Sequence, residues 1–405
     1  MANHLRTDVL VVGAGPAGIA AAVTAKRQGL SVRVVDKAVF PRDKCCGDGL
    51  TTNALRRLEE LGFDARAVDN CQPCRDVEIR SPKGRDVRLQ LPEDGLFAAV
   101  APRLDLDSAL VAFCRDAGVE ITEGAACEGV ISNDTDSIIT SVDSLGLVES
   151  KWVVAADGMW SPVRRSLGLS TPGYLGEWHA FRQYVSNVSG SATTTLHVWF
   201  DDDLLPGYAW SFPLPSGRAN LGFCLIREDG VSVQHMNELW RGLASRPHIA
   251  RALGEGATTE GRHSAWPIPA RIDTAVRSAG RVLFVGDAVC ATDLLTGEGI
   301  GQAVESGMAA AHAIGAGGSP GTVRARYSRE LDRLFLADHR MSRAVGSALG
   351  RARIAEAALR LVDANDWTRR NFARWMFEDE MRATALTPRR WHRRFLARPG
   401  AYRDH

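Results

Sequence analysis

Two adjacent thiols raise the first question of chemistry. Cys45 and Cys46 lie in FPRDKCCGDGL, residues 40–50, with Asp48 between two glycines just after them. A thiol and a carboxylate can each hold or release a proton, and glycine lets backbone come close to a ligand. Farther along, GYAWSFPLP sets Tyr208, Trp210 and Phe212 at alternate positions, and TTTLHVWF adds Trp199. Strand-spaced aromatics of this kind can wall an apolar pocket. Cys46, Asp48 and Tyr208 are candidates for proton transfer inside it, and ordered water is another.

The elements that must position these residues begin at the N-terminus. DVLVV reads as a buried strand, GAGPAG as a turn, IAAAVTAKRQG as an Ala-rich helix stopped by Gly29, and LSVRVVD as a second strand. Gly13, Gly15 and Gly18 therefore form a GxGxxG between a strand and a helix, the context in which that pattern binds a dinucleotide. Gly13 makes the tight turn, Gly15 admits a pyrophosphate, and Gly18 lets helix pack on strand. The helix N-terminus adds free N–H groups and partial positive charge. Asp36 ends the second strand, where an acid accepts a ribose hydroxyl, with Lys37 beside it.

A second glycine-rich strand-to-helix junction, VLFVGDAVCATDLLTGEGIGQAVESG at residues 282–307, comes far too late for the first βαβ unit and points to FAD rather than NAD. Asp287 ends a strand, well placed for a ribityl hydroxyl. Gly297, Gly299 and Ile300 open a helix whose dipole would stabilise negative charge on a reduced flavin. VVAADGMWSPVRRSLGL supplies Asp157 and Gly158 as a third landmark.

Between these landmarks the texture changes. TTTLHVWF, GYAWSFPLP and RANLGFCLI alternate apolar and polar residues, and PSGR is a turn, so an antiparallel sheet is expected. The fold class expected is α/β: a discontinuous Rossmann FAD domain with an inserted antiparallel-sheet substrate domain and a helical C-terminal tail. The expected FAD domain takes residues 1–75, 100–172 and 270–320, the substrate domain 76–99 and 173–269, and the helical region 321–405. A chain of 405 residues with net charge +1 carries no overall field for nucleic acid. No apolar run reaches the ~18 residues of a membrane span, and eight cysteines in this length suit a reducing cytoplasm better than a disulfide framework. Cys71 and Cys74 are read as free thiols, since no second ligand pair lies at zinc spacing.

The three motifs in this order resemble the FAD-dependent oxidoreductases of the para-hydroxybenzoate hydroxylase type, with glutathione-reductase-like nucleotide binding, over about residues 8 to 315. Within that group PRDKCCGDGLTTNALRRLEELG is similar to the P-x-x-K-x-C-G-x-G segment of the geranylgeranyl reductases, which include menaquinone and archaeal lipid side-chain reductases. GYAWSFPLPSGRANLGF is similar to their Y-x-W-x-F-P segment. The resemblance implies FAD contacts at Gly13, Gly15, Ala17, Asp36, Cys46, Gly47, Gly49, Arg103, Asp287, Gly299 and Ile300, and the expected cofactor set further takes Gly18, Lys37, Cys127, Asp157 and Gly297. Cys45, Thr52 and Leu294 stand where relatives usually have proline. Leu294 falls in the loop that should cover the flavin beside the substrate, so it joins Trp199, Tyr208, Trp210 and Phe212 as an expected pocket residue.

By this resemblance the chain reduces C=C bonds of an isoprenoid chain by hydride transfer from reduced flavin. The alternatives are a flavin monooxygenase acting on an aromatic or other small molecule, a flavin halogenase, and a non-enzymatic flavin or lipid sensor. Cys290 and Leu294 replace the histidine and proline usual in the hydroxylases, and the halogenase W-x-W-x-I-P signature is absent. No second GxGxxG exists, so NAD(P)H binding transiently or a ferredoxin or other reductase is the expected electron donor. TPRRWHRRFLARPGAYR, near the C-terminus, interleaves arginines with Trp391 and Phe395. Such a segment suits peripheral contact at the inner face of a membrane, or else a solvated helix. The expected location is cytoplasmic.

Overall fold

The computed structural model describes residues 5–93, 95–227 and 233–377. Its first sheet grows from the strand Leu5–Val12, whose last four residues are at most 4% exposed. Burial on both faces requires the unbroken apolar run VLVV, residues 9–12, rather than an alternation. This strand pairs in parallel with Val32–Val35 on one side and Gly146–Ala155 on the other. Glu120–Thr122 extends the first side and Val282–Phe284 the second, both in parallel. The chain thus reverses direction across the sheet next to Leu5–Val12, and the crevice at such a switch point is where open α/β sheets hold ligands.

The helix Pro16–Arg27 leaves that crevice and packs on the late helix Ile300–Gly315. The approach is close: a Cβ at Gly307 would lie 2.2 Å from the Ala17 carbonyl oxygen. A segment almost 300 residues away in sequence therefore completes the same crevice.

The second sheet runs in the order Thr258–Thr259, Trp178–Ser186, Arg218–Ile226, Tyr208–Leu214, Thr195–Trp199, Asp76–Arg80 and Asp86–Gln90. Ser264–Ile268 also pairs with Trp178–Ser186. PSGR forms the tip of one hairpin, with Ser216 and Gly217 both in the left-handed region. One pairing departs from the antiparallel expectation, because Asp76–Arg80 lies parallel to Thr195–Trp199. Those strands are joined by no hairpin, so nothing forces them to run opposite ways.

Beyond residue 320 the described chain is helical, through Pro320–Leu331, Ala337–Leu349, Ala352–Val362 and Asp366–Phe377. The last two pack on the second sheet, where Leu359 and Ala373 join Val77, Ile79, Leu196 and Leu214 in one cluster. The arginine-rich stretch 387–403 lies outside the described residues. No helix among the described residues is long and apolar enough to cross a membrane.

Candidate active site

One cavity of about 1300 Å³ runs between the two sheets. That exceeds the upper end, about 1,000 Å³, of ordinary small-molecule pockets. It has room for a large cofactor and a second ligand.

Backbone builds one end of it. Gly13 has φ +104°, and a Cβ there would lie 2.3 Å from the Ala156 carbonyl oxygen. A Cβ on Gly18 would lie 1.8 Å from the Gly13 carbonyl oxygen. Gly13, Gly15 and Ala17 line the cavity, whereas Gly18 sits beneath the turn and serves its packing. Asp36 is locked at the end of its strand, accepting from the Ala14 N–H (2.7 Å) and the Ala38 N–H (2.8 Å). Lys37 and Cys127 stand on the same wall.

Charge is arranged to match. Arg103 makes a bidentate pair with the buried Asp107 (2.8 and 2.7 Å), and Arg42 reaches the same carboxylate at 2.9 Å. Two guanidinium groups share one counter-charge beside a glycine turn and a helix N-terminus, which leaves net positive charge where a pyrophosphate would lie. Across the cavity, Asp287 pairs with Lys44 (3.2 Å), and Gly297, Gly299 and Ile300 lead into the late helix. Asp157 accepts from the Ser161 hydroxyl (2.7 Å) and the Val163 N–H (3.1 Å) through one oxygen. Its other oxygen is buried without a protein partner, and burial pushes the carboxyl up to about 6 against those hydrogen bonds. These residues fit FAD: glycine positions with no room for a side chain, excess positive charge, and an acceptor in want of a donor.

The cysteine loop forms the middle of the wall. Cys45, Cys46, Gly47 and Gly49 line the cavity. Burial raises the Cys46 thiol, and Arg103 beside it opposes the shift; burial pushes Cys45 up to about 12, with Arg182 opposing. Both are therefore S–H groups at neutral pH and can donate a proton, rather than thiolate nucleophiles. Asp48, expected to be catalytic, is wholly buried and lines no part of the cavity. The αL turn at this position (φ +62°) carries its side chain behind the loop. Tyr208 does line the cavity, but its hydroxyl donates to the Thr296 carbonyl.

The other end is made of side chains. Tyr208, Trp210 and Phe212 present their rings to the cavity from alternate positions of one strand. Trp199 does not join them. On its strand the cavity side is taken by Leu196 and Val198, so Trp199 falls on the opposite face and stacks on His197 at 5.3 Å. Leu294 is likewise displaced: it packs against the Trp178 and Trp210 cluster, and its neighbour Leu295 lines the cavity. Sequence reasoning missed Arg42 and Arg182, and also the apolar wall from Val345 to Met376. The spacing of Ala355, Leu359 and Val362 marks a helix face to be buried, though not which surface buries it. Cys71 and Cys74 are unpaired thiols, and no group among the described residues could hold a metal ion.

Comparison with known proteins agrees with this geometry. Residues 6–327 match the family model described as FAD binding domain. The chain is 32% identical over 333 residues to a menaquinone reductase of Mycobacterium tuberculosis, covering 76% of each chain. It is 28% identical over 309 residues to digeranylgeranylglycerophospholipid reductase 1 of Methanococcoides burtonii, covering 74% of this chain and 72% of the other. Among solved structures, a geranylgeranyl bacteriochlorophyll reductase-like protein of Thermoplasma acidophilum superimposes with a TM-score of 0.78 at 21% identity, over 96% of this chain and 100% of that one.

Proposed function

We propose a function from one premise: the chain belongs to the geranylgeranyl reductase family of FAD-dependent oxidoreductases. It saturates C=C bonds of an isoprenoid chain. The observation that carries this reading is the division of the cavity lining. All its charged residues belong to the nucleotide wall, the cysteine loop and their surroundings, while Ile79, Leu196, Val198, Phe200, Leu359 and Phe372 make an arm without charge. A long hydrocarbon is stabilised there by about 0.8 kcal/mol per buried CH₂, whereas a small polar aromatic would leave most of the arm unfilled.

FAD, when bound, supplies the hydride. The chain's own residues do the rest. Phe212 touches both regions, since its ring lies 3.2 Å from a Cβ built on Gly49 and packs in the cluster that includes Leu359. It and Trp210 hold the chain against the cysteine loop and exclude water. The neutral Cys46 thiol delivers the proton to the second carbon, and Arg103 beside it stabilises the sulfur as the proton leaves. Electrons come from NAD(P)H or a reductase partner. Leu361 lines the cavity yet is 69% exposed, and Trp367 nearby in sequence is 73% exposed; an apolar rim of this kind supports substrate entry from a bilayer surface.

The test is anaerobic. The dithionite-reduced holoprotein is mixed with geranylgeranyl diphosphate or a menaquinone, flavin absorbance is followed, and product is weighed by mass spectrometry. Reoxidation with a gain of about two mass units per bond is expected. A flavin that stays reduced until oxygen is admitted would instead mark an oxygen-dependent enzyme.

A further inference from the structure

We propose that Asp48 is a positioning residue: its buried carboxylate latches the cysteine loop to the second sheet and so fixes Cys46 on the cavity wall. The proposal rests on the reading of Cys46 as proton donor and adds what holds it. One Asp48 oxygen accepts from the Arg103 backbone N–H (3.2 Å). The other accepts from the Tyr184 hydroxyl (2.7 Å) and the Asn220 amide (2.8 Å). Three donors thus converge from three elements: the helix Arg103–Asp116 and the strands Trp178–Ser186 and Arg218–Ile226. Asn220 carries the tie onward, donating also to the Cys46 carbonyl (2.9 Å) and accepting from the Trp210 indole N–H (3.1 Å). A single polar network therefore links the thiol's own backbone to an aromatic of the substrate wall.

Packing and charge close the latch. A Cβ added to Gly47 or Gly49 would lie 3.3 or 3.2 Å from the Phe212 ring, so the loop lies flat on the aromatics. Arg182 stacks over Tyr184 at 4.3 Å, pairs with Asp43 and donates to the Lys44 carbonyl. It holds the loop on the far side of Cys45. The ionisable groups facing Asp48 are then Arg103 from the helix, Arg182 and Tyr184 from the strand, and Cys45 and Cys46 from its own loop. Burial is the largest influence on Asp48 and pushes it up to about 6, with Arg182, Tyr184, Asn220 and Arg103 all opposing. Protonation replaces an acceptor by a donor among three donors, so the latch loosens as pH falls through about 6.

The experiment uses the FAD-loaded full chain and two variants, Asp48→Asn, which keeps shape and tolerates the left-handed backbone, and Tyr184→Phe. The rate of Cys46 alkylation by iodoacetamide, divided by the thiolate fraction that rises about tenfold per pH unit for so raised a thiol, is read by peptide mass spectrometry from pH 5 to 9, beside the visible flavin spectrum, kcat and KM. The latch predicts Cys46 alkylation at least ~3-fold faster in both variants and a pH step near 6 in the wild type that Asp48→Asn abolishes. It also predicts kcat lower by ~10²-fold in Asp48→Asn, as a misplacement of about 1 Å entails, with KM within ~3-fold and bound flavin retained. Alkylation rates and pH profiles identical in all three proteins would overturn the latch. Faster alkylation in both variants, beside a wild type that reduces no isoprenoid, would keep the latch and discard the proposed reaction.

Discussion

At the nucleotide end of the cavity the wall is backbone: Gly13 and Gly18 leave no space for a Cβ, and Asp36 is pinned by two N–H groups of neighbouring residues. At the apolar end the wall is side chains, drawn from three strands and from helices more than 100 residues away. The first end tolerates almost no substitution, because a carbon atom has nowhere to go. The second requires only hydrophobic residues of suitable volume, so its composition can drift while its function stays. The same cavity thus has one end specified by position and one by physical class.

The sharpest break in that comparison is Gly18→Val. Its Cβ would collide with the Gly13 carbonyl at 1.8 Å, and FAD binding should weaken by about 100-fold or more, read as loss of yellow colour on purification. Normal flavin content would refute the backbone account of this end. Next in size is Ala358→Trp in the apolar arm. Here the flavin spectrum should stay unchanged while kcat/KM for a long isoprenoid falls about 10-fold and that for a short one does not. Equal losses for both lengths would mean that Ala358 does not border the chain. The smallest effect concerns Asp157, whose folded-state carboxyl is raised from 3.8 to about 6 by burial. A raised carboxyl contributes stability that is present below pH 4 and lost as pH rises through 6. Asp157→Asn should therefore melt about 2 °C higher than wild type above pH 6 in the flavin-free protein, and equally below pH 4. A lower melting temperature above pH 6 would show that its hydrogen bonds outweigh burial.

The two ends were also unequally legible. GxGxxG, Asp36, Asp287 and the late glycines carry meaning in the chain itself, since their turns and helix starts are local, and each except Gly18 lies on the cavity wall. Trp199 was misplaced because a strand of aromatics does not reveal which parity faces the ligand. Its side is decided by pairing with Asp76–Arg80, a segment over 100 residues earlier. Asp48 departs from the expected proton donor for a similar reason: an acid next to the paired thiols reads as facing the same pocket, and only Tyr184 and Asn220, brought in by the second sheet, show that it is held behind the loop. The helical wall from Val345 to Met376 gave its amphipathic period but not its partner.

Under the proposed function one cavity joins a flavin site to an arm that measures hydrocarbon length, and titrating the oxidised holoprotein with prenyl alcohols of one to four isoprene units, followed by flavin absorbance, reads that length. The arm predicts that each added unit tightens Kd by at least about tenfold, as five buried carbons should, until the chain reaches the rim at Leu361. A Kd that does not change with chain length would contradict it.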